Sequence, residues 1–253
     1  MTTNATIPSP SLWQRTLLFQ LWNDFRTRWR FKFSLPRVQS VTLEGVQLDV
    51  STLSPLMKNN LLLGRYEVQE RQLAQMALTR DDAVLEVGGA IGFIGLFCQT
   101  RLGITRYTTV EANPNTVTLL RRNYALNQRT PVVWNMALAA QDGEVTLNVG
   151  NEFWENSLVT GAQSGRTVRV PAASLSHLVR DLDYPPTALI MDIEGAEQFV
   201  DFHSLPASVK KIIIELHPAF IGHRKTYQIV ADLVNLGFHV EREEGGTFLF
   251  LRP

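Results

Sequence analysis

Apolar positions along this chain change their period several times, and each change marks an element. "VTLEGVQLDVS" (41–51) alternates apolar and polar residues about a glycine and predicts a short β-hairpin. "RYEVQERQLAQMALT" shows helical spacing and runs up to the next apolar block. From Asp82 onward, strand-like and helix-like segments alternate. "AVLEV" (83–87) is a short strand closed by glycines, "IGFIGLFCQTRL" a helix and "RYTTVE" a strand. "NPNTVTLLRRNYALN" is a helix with Pro114 in its first turn, and "TPVVWNM" is a third strand. Between about 140 and 172 the rhythm breaks: "QDGEVTLNV" and "GRTVRVPA" read as strands around the loop "GNEFWENSLVTGAQS". It resumes with helix "SLSHLVRDL", strand "TALIMDI", helix "AEQFVDFHSL", strand "VKKIIIELH" and helix "RKTYQIVADLVNLG". "FHVEREEGGTFLFLR" closes the series as two strands around Gly245 and Gly246. Alternating strands and helices imply right-handed crossovers and an α/β fold with a parallel sheet covered on both faces. The Gly-Gly hairpin makes the last strand antiparallel to its neighbour.

The N-terminal part follows another pattern. Residues 1–10 are polar and proline-containing, as in a disordered tail. In 11–33, Trp13, Leu17, Leu21, Phe25 and Trp29 recur at i+4, with Leu18 and Trp22 beside them. Five basic residues face a single acid, Asp24, in this stretch. Such a helix packs on its own domain or on a second subunit, or lies on a membrane surface through its aromatic residues. The expected organisation is a tail (1–10), a helix and hairpin extension (11–80), and a main domain (81–253) with an insertion at about 140–172.

Composition narrows the function classes. The formal net charge is zero, which gives no reason to expect nucleic acid as a partner. The single cysteine, Cys98, excludes an internal disulfide and a cysteine-rich zinc site, so a cytoplasmic setting is the default. No apolar run reaches the roughly 20 residues of a membrane-spanning helix, and no secretory leader pattern opens the chain.

Polar residues gather where the strands end, which is where ligands bind in α/β sheets. The first strand leads into "EVGGAIGFIG", in which Glu86 precedes Gly88 and Gly92 at G-x-x-x-G spacing. This is not the dinucleotide fingerprint G-x-G-x-x-G, although glycines followed by a helix N-terminus still admit a ligand close to the backbone. The second strand ends at Glu111, placed to accept hydrogen bonds from both hydroxyls of a ribose. Its plainer role is that of an acid at a helix start. "MDIEGAE" brings Asp192, Glu194 and Glu197 to a third strand end, and "IELHP" brings Glu215 and His217 to a fourth. Glu197 reads as a first-turn acid of the following helix. His217, held by Pro218, is a candidate acid–base group or a structural histidine. Oxygen and nitrogen ligands from Asp192, Glu215 and His217 would permit a divalent metal, but no diagnostic spacing is present and no metal is expected.

"VLEVGGAIG", "VEANP", "MDIEGAE" and "IELHP", in that order and preceded by "GRYEVQE", resemble the FkbM family of S-adenosylmethionine-dependent methyltransferases over roughly residues 41–252. The resemblance implies a Rossmann-like, seven-stranded class I methyltransferase sheet with its last strand antiparallel. It implies S-adenosyl-L-methionine as cofactor and methylation of a hydroxyl on a sugar, polyketide or similar natural product, so the partner is a small-molecule or glycan acceptor. It assigns Glu86, Gly88, Gly89 and Gly92 to the cofactor loop, Glu111 to the ribose and Asn113 to its flank. The loop from about Asn135 to Leu138, with Met136 and Ala137, would meet the adenine edge. Tyr66 and Glu67 would cover the cofactor or line the active site, and Asp192 and Glu194 would face the methyl group. The family usually has Asp and Asn where this chain has Glu86 and Ala90, a departure that removes one polar contact beside the methionine part.

The chemistry requires an acceptor oxygen in line with the methyl group and a base for its proton. Asp192 is expected to orient cofactor and acceptor, with His217 as the leading base and Glu194 beside them. In the insertion, Trp154 would stack on a sugar ring and Asn156 and Ser157 would bond its hydroxyls, or the loop is packed by its own tryptophan. Two other classes compete: a non-catalytic partner module that keeps the fold, and an oxidoreductase using a nicotinamide dinucleotide.

Overall fold

The computed structural model describes residues 37–148 and 167–253. Its first element is a hairpin of β1 (Ser40–Leu43) and β2 (Val46–Asp49). Two helices follow, α1 (Pro55–Leu62) and α2 (Val68–Ala77). The apolar pattern predicts no element at α1, although Ser54 and Pro55 signal its start. Ser54 caps it by accepting from the Met57 N–H at 3.2 Å, and Pro55 occupies the first turn, where a missing N–H does no harm.

The alternating series then appears as expected. It comprises β3 (Ala83–Val87), α3 (Phe93–Arg101), β4 (Arg106–Val110), α4 (Pro114–Leu126) and β5 (Val132–Trp134). Next come β6 (Ala137–Leu138), β7 (Gly143–Asn148), β8 (Thr167–Ala173), α5 (Leu175–Arg180) and β9 (Ala188–Met191). The series ends with β10 (Lys211–Glu215), α6 (Pro218–Ile221), α7 (His223–Asn235), β11 (His239–Glu244) and β12 (Thr247–Leu251).

One expected helix is absent. "AEQFVDFHSL" forms two short 3₁₀ turns, Ala196–Phe199 and Phe202–Ser204. Val200 takes an extended backbone, and the Asp201 carboxylate accepts from the His203 N–H, so a local turn wins over helix propagation. Pro218 likewise does more than stop a strand: it opens the one-turn α6 directly after His217.

Seven strands form one sheet in the order β11-β12-β10-β9-β3-β4-β5, parallel throughout except β12, which runs against both neighbours. This is the expected Rossmann-like α/β architecture with its last strand antiparallel. A smaller sheet, β6-β8-β7, is built from the irregular region.

Strand periodicity divides the core. Ala188, Ile190, Ile213 and Leu249 point to the face covered by the hairpin and α1–α4. Leu189, Met191, Ile212, Ile214 and Phe250 point to the other face, against α5 and α7. Burying each larger side chain contributes about 1.5–3 kcal/mol, which makes a one-residue slip of any central strand prohibitive. The hairpin is joined to the sheet domain by polar contacts as well. The Asp49 N–H donates to Asn123 Oδ1 at 2.7 Å, and the Gln47 N–H donates to Asn127 Oδ1 at 2.9 Å. Among the described residues no helix is long and apolar enough to cross a membrane.

Candidate functional site at the carboxyl edge of the sheet

After β3 the chain builds outward through β4 and β5, then returns to the other side of β3 to lay down β9 and β10. The carboxyl ends of β3 and β9 therefore flank a topological switch point, where loops diverge and leave a crevice. The turn after β3 folds tightly into it. The N–H groups of Gly88 and Gly89 both donate to the Val110 carbonyl, at 2.9 and 3.1 Å. Gly88 has φ +93°, and a Cβ there would lie 1.7 Å from the Asp192 carbonyl oxygen. Only glycine permits this approach of the loop to the exit of β9. The Asp192 N–H donates to the Val87 carbonyl at 3.0 Å and closes the seam.

Glu111 follows β4 and is 8% exposed. Its Oε2 accepts from the Ala90 N–H at 3.0 Å and its Oε1 from the Asn113 N–H at 2.7 Å. The carboxylate thus ties the glycine turn to the start of α4. Burial raises its pKa to about 7, against the pull of these amides. From behind, Asn135 Nδ2 donates to the carbonyls of Glu111 and Ala112 at 2.8 and 3.0 Å.

Between these loops opens a pocket of about 710 Å³, counted out to its mouth. Val110, Ala112, Met136, Ala137, Leu138 and Leu147 supply apolar walls, and Glu111 faces it from the end of β4. Tyr66, Glu67, Asp192 and Glu194 also line it, as do Gly88, Ala90, Ile193 and Ala196. Three of its non-glycine residues, Glu67, Ala90 and Glu194, hold φ between +44° and +49°, in the left-handed region. Such strain persists only where surrounding structure enforces it, and it concentrates at functional sites.

Beside the pocket lies a nest of acids around one imidazole. His217 Nδ1 is 2.8 Å from Glu197 Oε1, and Glu197 has no exposed surface. Nε2 on the other side lies 3.4 Å from Glu194, 3.6 Å from Asp192 and 3.8 Å from Glu215. Burial and the neighbouring Glu194 push Asp192 up to about 8. Burial likewise lifts Glu194 and Glu215 to about 7. Glu67 is raised by burial, with Glu70 and Asp192 adding to it. For His217 burial acts downward, but the bond to Glu197 and the surrounding carboxylates outweigh it and raise the imidazole to about 9.

The structure therefore sorts the expected site residues. Tyr66, Glu67, Gly88, Glu111, Met136, Ala137, Asp192 and Glu194 share one pocket. Glu86 does not line it. Its side chain lies behind the glycine turn, 3% exposed, accepting from Thr109 Oγ1 at 2.7 Å, with burial raising it to about 7. Strand alternation gives the reason: Glu86 shares its face with Val84, which belongs to the core on the α1–α4 side. Gly89 and Gly92 are packing positions, where a Cβ would meet Thr109 at 2.0 Å and Leu120 and Tyr124 at 2.9 Å. Asn113 caps α4, its Oδ1 accepting from the Asn115 N–H, and Asn135 is the brace just described.

His217 sits beside the pocket, its Nδ1 engaged by Glu197 and its Nε2 turned to the carboxylates of Asp192, Glu194 and Glu215. Glu197, expected as a first-turn acid, does stand in the first turn of the 3₁₀ segment Ala196–Phe199, and its buried carboxylate is also the partner of that imidazole. The apolar lining from Ala112, Leu147, Ile193 and Ala196 was not anticipated, whereas Leu138 belongs to the loop expected at the adenine edge. Of these, Ile193 and Ala196 lie within "MDIEGAE" itself. Trp154, Asn156 and Ser157 and the helix expected at 11–33 lie outside the described residues.

No family model and no curated protein sequence matches the chain. Solved structures do resemble it. One is the methyltransferase FkbM from Methylobacillus flagellatus KT, at 17% identity over 89% of this chain and 59% of that one, TM-score 0.44. Another is the ribosomal protein L11 methylase from Lactobacillus delbrueckii subsp. bulgaricus, at 14% identity over 74% and 79%, TM-score 0.46. A third is the precorrin-6y C5,15-methyltransferase from Geobacter metallireducens GS-15, at 12% identity over 73% and 87%, TM-score 0.46. Likenesses of this strength do not bear on activity. The fold rests on the strand order, and function has to be read from the pocket.

Proposed function

We propose that this protein is an S-adenosylmethionine-dependent methyltransferase acting on a hydroxyl group of a small-molecule or glycan acceptor. The observation that carries the reading is how the pocket lining divides. Apolar side chains (Ala112, Met136, Ala137, Leu138 and Leu147) follow β4 and β5 and suit a purine. Each Glu111 oxygen accepts one backbone amide and keeps a lone pair that can receive a ribose hydroxyl. Asp192, Glu194 and Glu67 form an acidic end suited to a sulfonium and an ammonium group, and no lysine or arginine is among the described lining residues. A nicotinamide dinucleotide would set its pyrophosphate among these acids without a cation, so the oxidoreductase reading loses ground.

When bound, S-adenosylmethionine supplies an electrophilic methyl group. The residues of the chain then have two tasks, aligning the acceptor oxygen and receiving its proton. That proton is proposed to go to the adjacent His217 or to a carboxylate facing the pocket, Glu67, Asp192 or Glu194. The acceptor is proposed to enter over the insertion, with Trp154, Asn156 and Ser157 as its contacts. The helix at 11–33 is proposed as a surface for a second subunit or a membrane.

Calorimetric titration with S-adenosylmethionine and S-adenosylhomocysteine, with NAD as control, tests the reading. Micromolar binding of both sulfur nucleosides and none of NAD is expected, and Glu111→Gln should weaken that binding about tenfold, a difference of about 1.4 kcal/mol. Absence of binding by either nucleoside would sink the proposal and favour a partner module on the same fold.

A further inference from the structure

We infer that His217, Asp192 and Glu194 form a divalent-cation site beside the pocket, with Glu215 at its edge. This revises the expectation of no metal. Only the role of the ion, not its presence, rests on the methyltransferase reading.

One ligand atom from each of Asp192, Glu194 and His217 lies within 4.8 Å of the other two. Nε2 is 3.6 Å from Asp192 Oδ1, 3.4 Å from Glu194 Oε2 and 3.8 Å from Glu215 Oε1. Adjacent ligands of an octahedral cation with bonds near 2.1 Å stand about 3.0 Å apart, so an inward shift of roughly half an ångström brings these oxygens to ligand spacing from Nε2, and water would fill the remaining positions. The donors leave two neighbouring strands, β9 and β10, whose pairing fixes their spacing.

The imidazole is also oriented as a metal ligand requires. Glu197 engages Nδ1 and leaves Nε2 directed at the three carboxylates, the arrangement in which an outer acid sets the tautomer of a ligating histidine. A second observation is independent of this geometry. Asp192 Oδ1 and Glu197 Oε2 are shielded from solvent yet have no hydrogen-bond partner, and the Glu197 side chain is 0% exposed. Buried carboxylate oxygens in this condition are costly unless a cation is supplied. Among the described residues, no lysine or arginine pairs with Asp192, Glu197 or Glu215; the imidazole alone serves them.

One nitrogen and two or three oxygens, with no thiolate, favour an ion such as Mn²⁺ over Ca²⁺ or a soft metal. As the ion arrives at Nε2, the proton held there leaves to solvent. In a methyltransferase, a cation at this edge would bind the acceptor oxygen and ease loss of its proton.

The test uses the full 253-residue chain, stripped with a chelator and titrated with MnCl₂ while free Mn²⁺ is read by electron paramagnetic resonance. One Mn²⁺ per chain is expected. His217→Ala and Glu194→Gln should each weaken it at least tenfold, and Glu197→Gln about tenfold through the outer shell. S-adenosylhomocysteine titrations on the same samples show whether each variant keeps its pocket. Retained nucleoside binding with lost Mn²⁺ in His217→Ala, whose side chain is outside the pocket lining, supports the site. No Mn²⁺ bound by the parent at millimolar concentration, or equal binding by parent and His217→Ala, overturns it. Mn²⁺ binding by a parent that takes no sulfur nucleoside would support the site while removing the methyltransferase reading.

Discussion

The same three central strands meet acids at both ends, and the two ends are finished differently. At the amino edge, Asp82 precedes β3 and is held by Lys211 Nζ at 2.7 Å, the Thr79 N–H at 2.7 Å and Thr187 Oγ1 at 2.8 Å. Burial works to raise this carboxyl, but the bonds outweigh it and keep it below the ordinary carboxylate range. At the carboxyl edge, Asp192, Glu194 and Glu215 gather around one histidine, and Asp192 keeps a shielded oxygen without a partner. The first edge is satisfied within the chain and stabilises the sheet. The second has the chemistry of a site that a cationic ligand completes.

Substitutions can separate the two edges. Gly88→Ala is expected to have the largest effect, because its Cβ would overlap the Asp192 carbonyl and its φ is left-handed. A stability loss of about 4 kcal/mol and a loss of S-adenosylhomocysteine affinity beyond a hundredfold should appear in thermal melts and calorimetry. Lys211→Met comes next. It leaves Asp82 buried without its cation and should cost about 2–3 kcal/mol, with nucleoside affinity changed less than twofold. A clear affinity loss in Lys211→Met would end the separation of the edges.

The smallest effect is expected at Glu86, behind the turn. Its folded pKa of about 7 lies above its ordinary 4.5, so between these values the folded state holds a proton that the unfolded state has released. Its contribution is therefore full below pH 4.5 and falls as pH rises towards 7. Glu86→Gln should melt near the parent at pH 4.5 and be more stable at pH 8 by roughly 1–2 kcal/mol. Identical melting of the two proteins at pH 8 would show that Glu86 carries no such burden.

The sheet was legible because each strand and helix announces itself locally, and the strand ends then name Gly88, Glu111, Asp192 and Glu194. Tyr66 and Glu67 came only through family resemblance, since nothing in their own spacing places them at the pocket. Glu86 was misplaced although the evidence was present: strand alternation puts it on the face of Val84, away from the pocket. Glu197 was misjudged for a deeper reason. It does stand in a short first turn, but its carboxylate also bonds His217 across 20 positions, a contact that no local pattern records. Leu147 reaches the pocket through the pairing of β7 with β8, a contact across the insertion that no local pattern records.

The seam under the pocket also governs how the sheet assembles in time. Glu86 and its β4 partner Thr109 are 23 positions apart, whereas the bond from the Ala83 N–H to Thr187 across the β3–β9 seam spans 104. Closing so long a loop is slow, so β3–β4–β5 and β9–β10–β12–β11 should order as separate halves before they join. The crevice comes into being only at that last step. A ligand held by Glu111 on one half and Asp192 on the other would act as a clasp, slowing unfolding far more than it speeds folding.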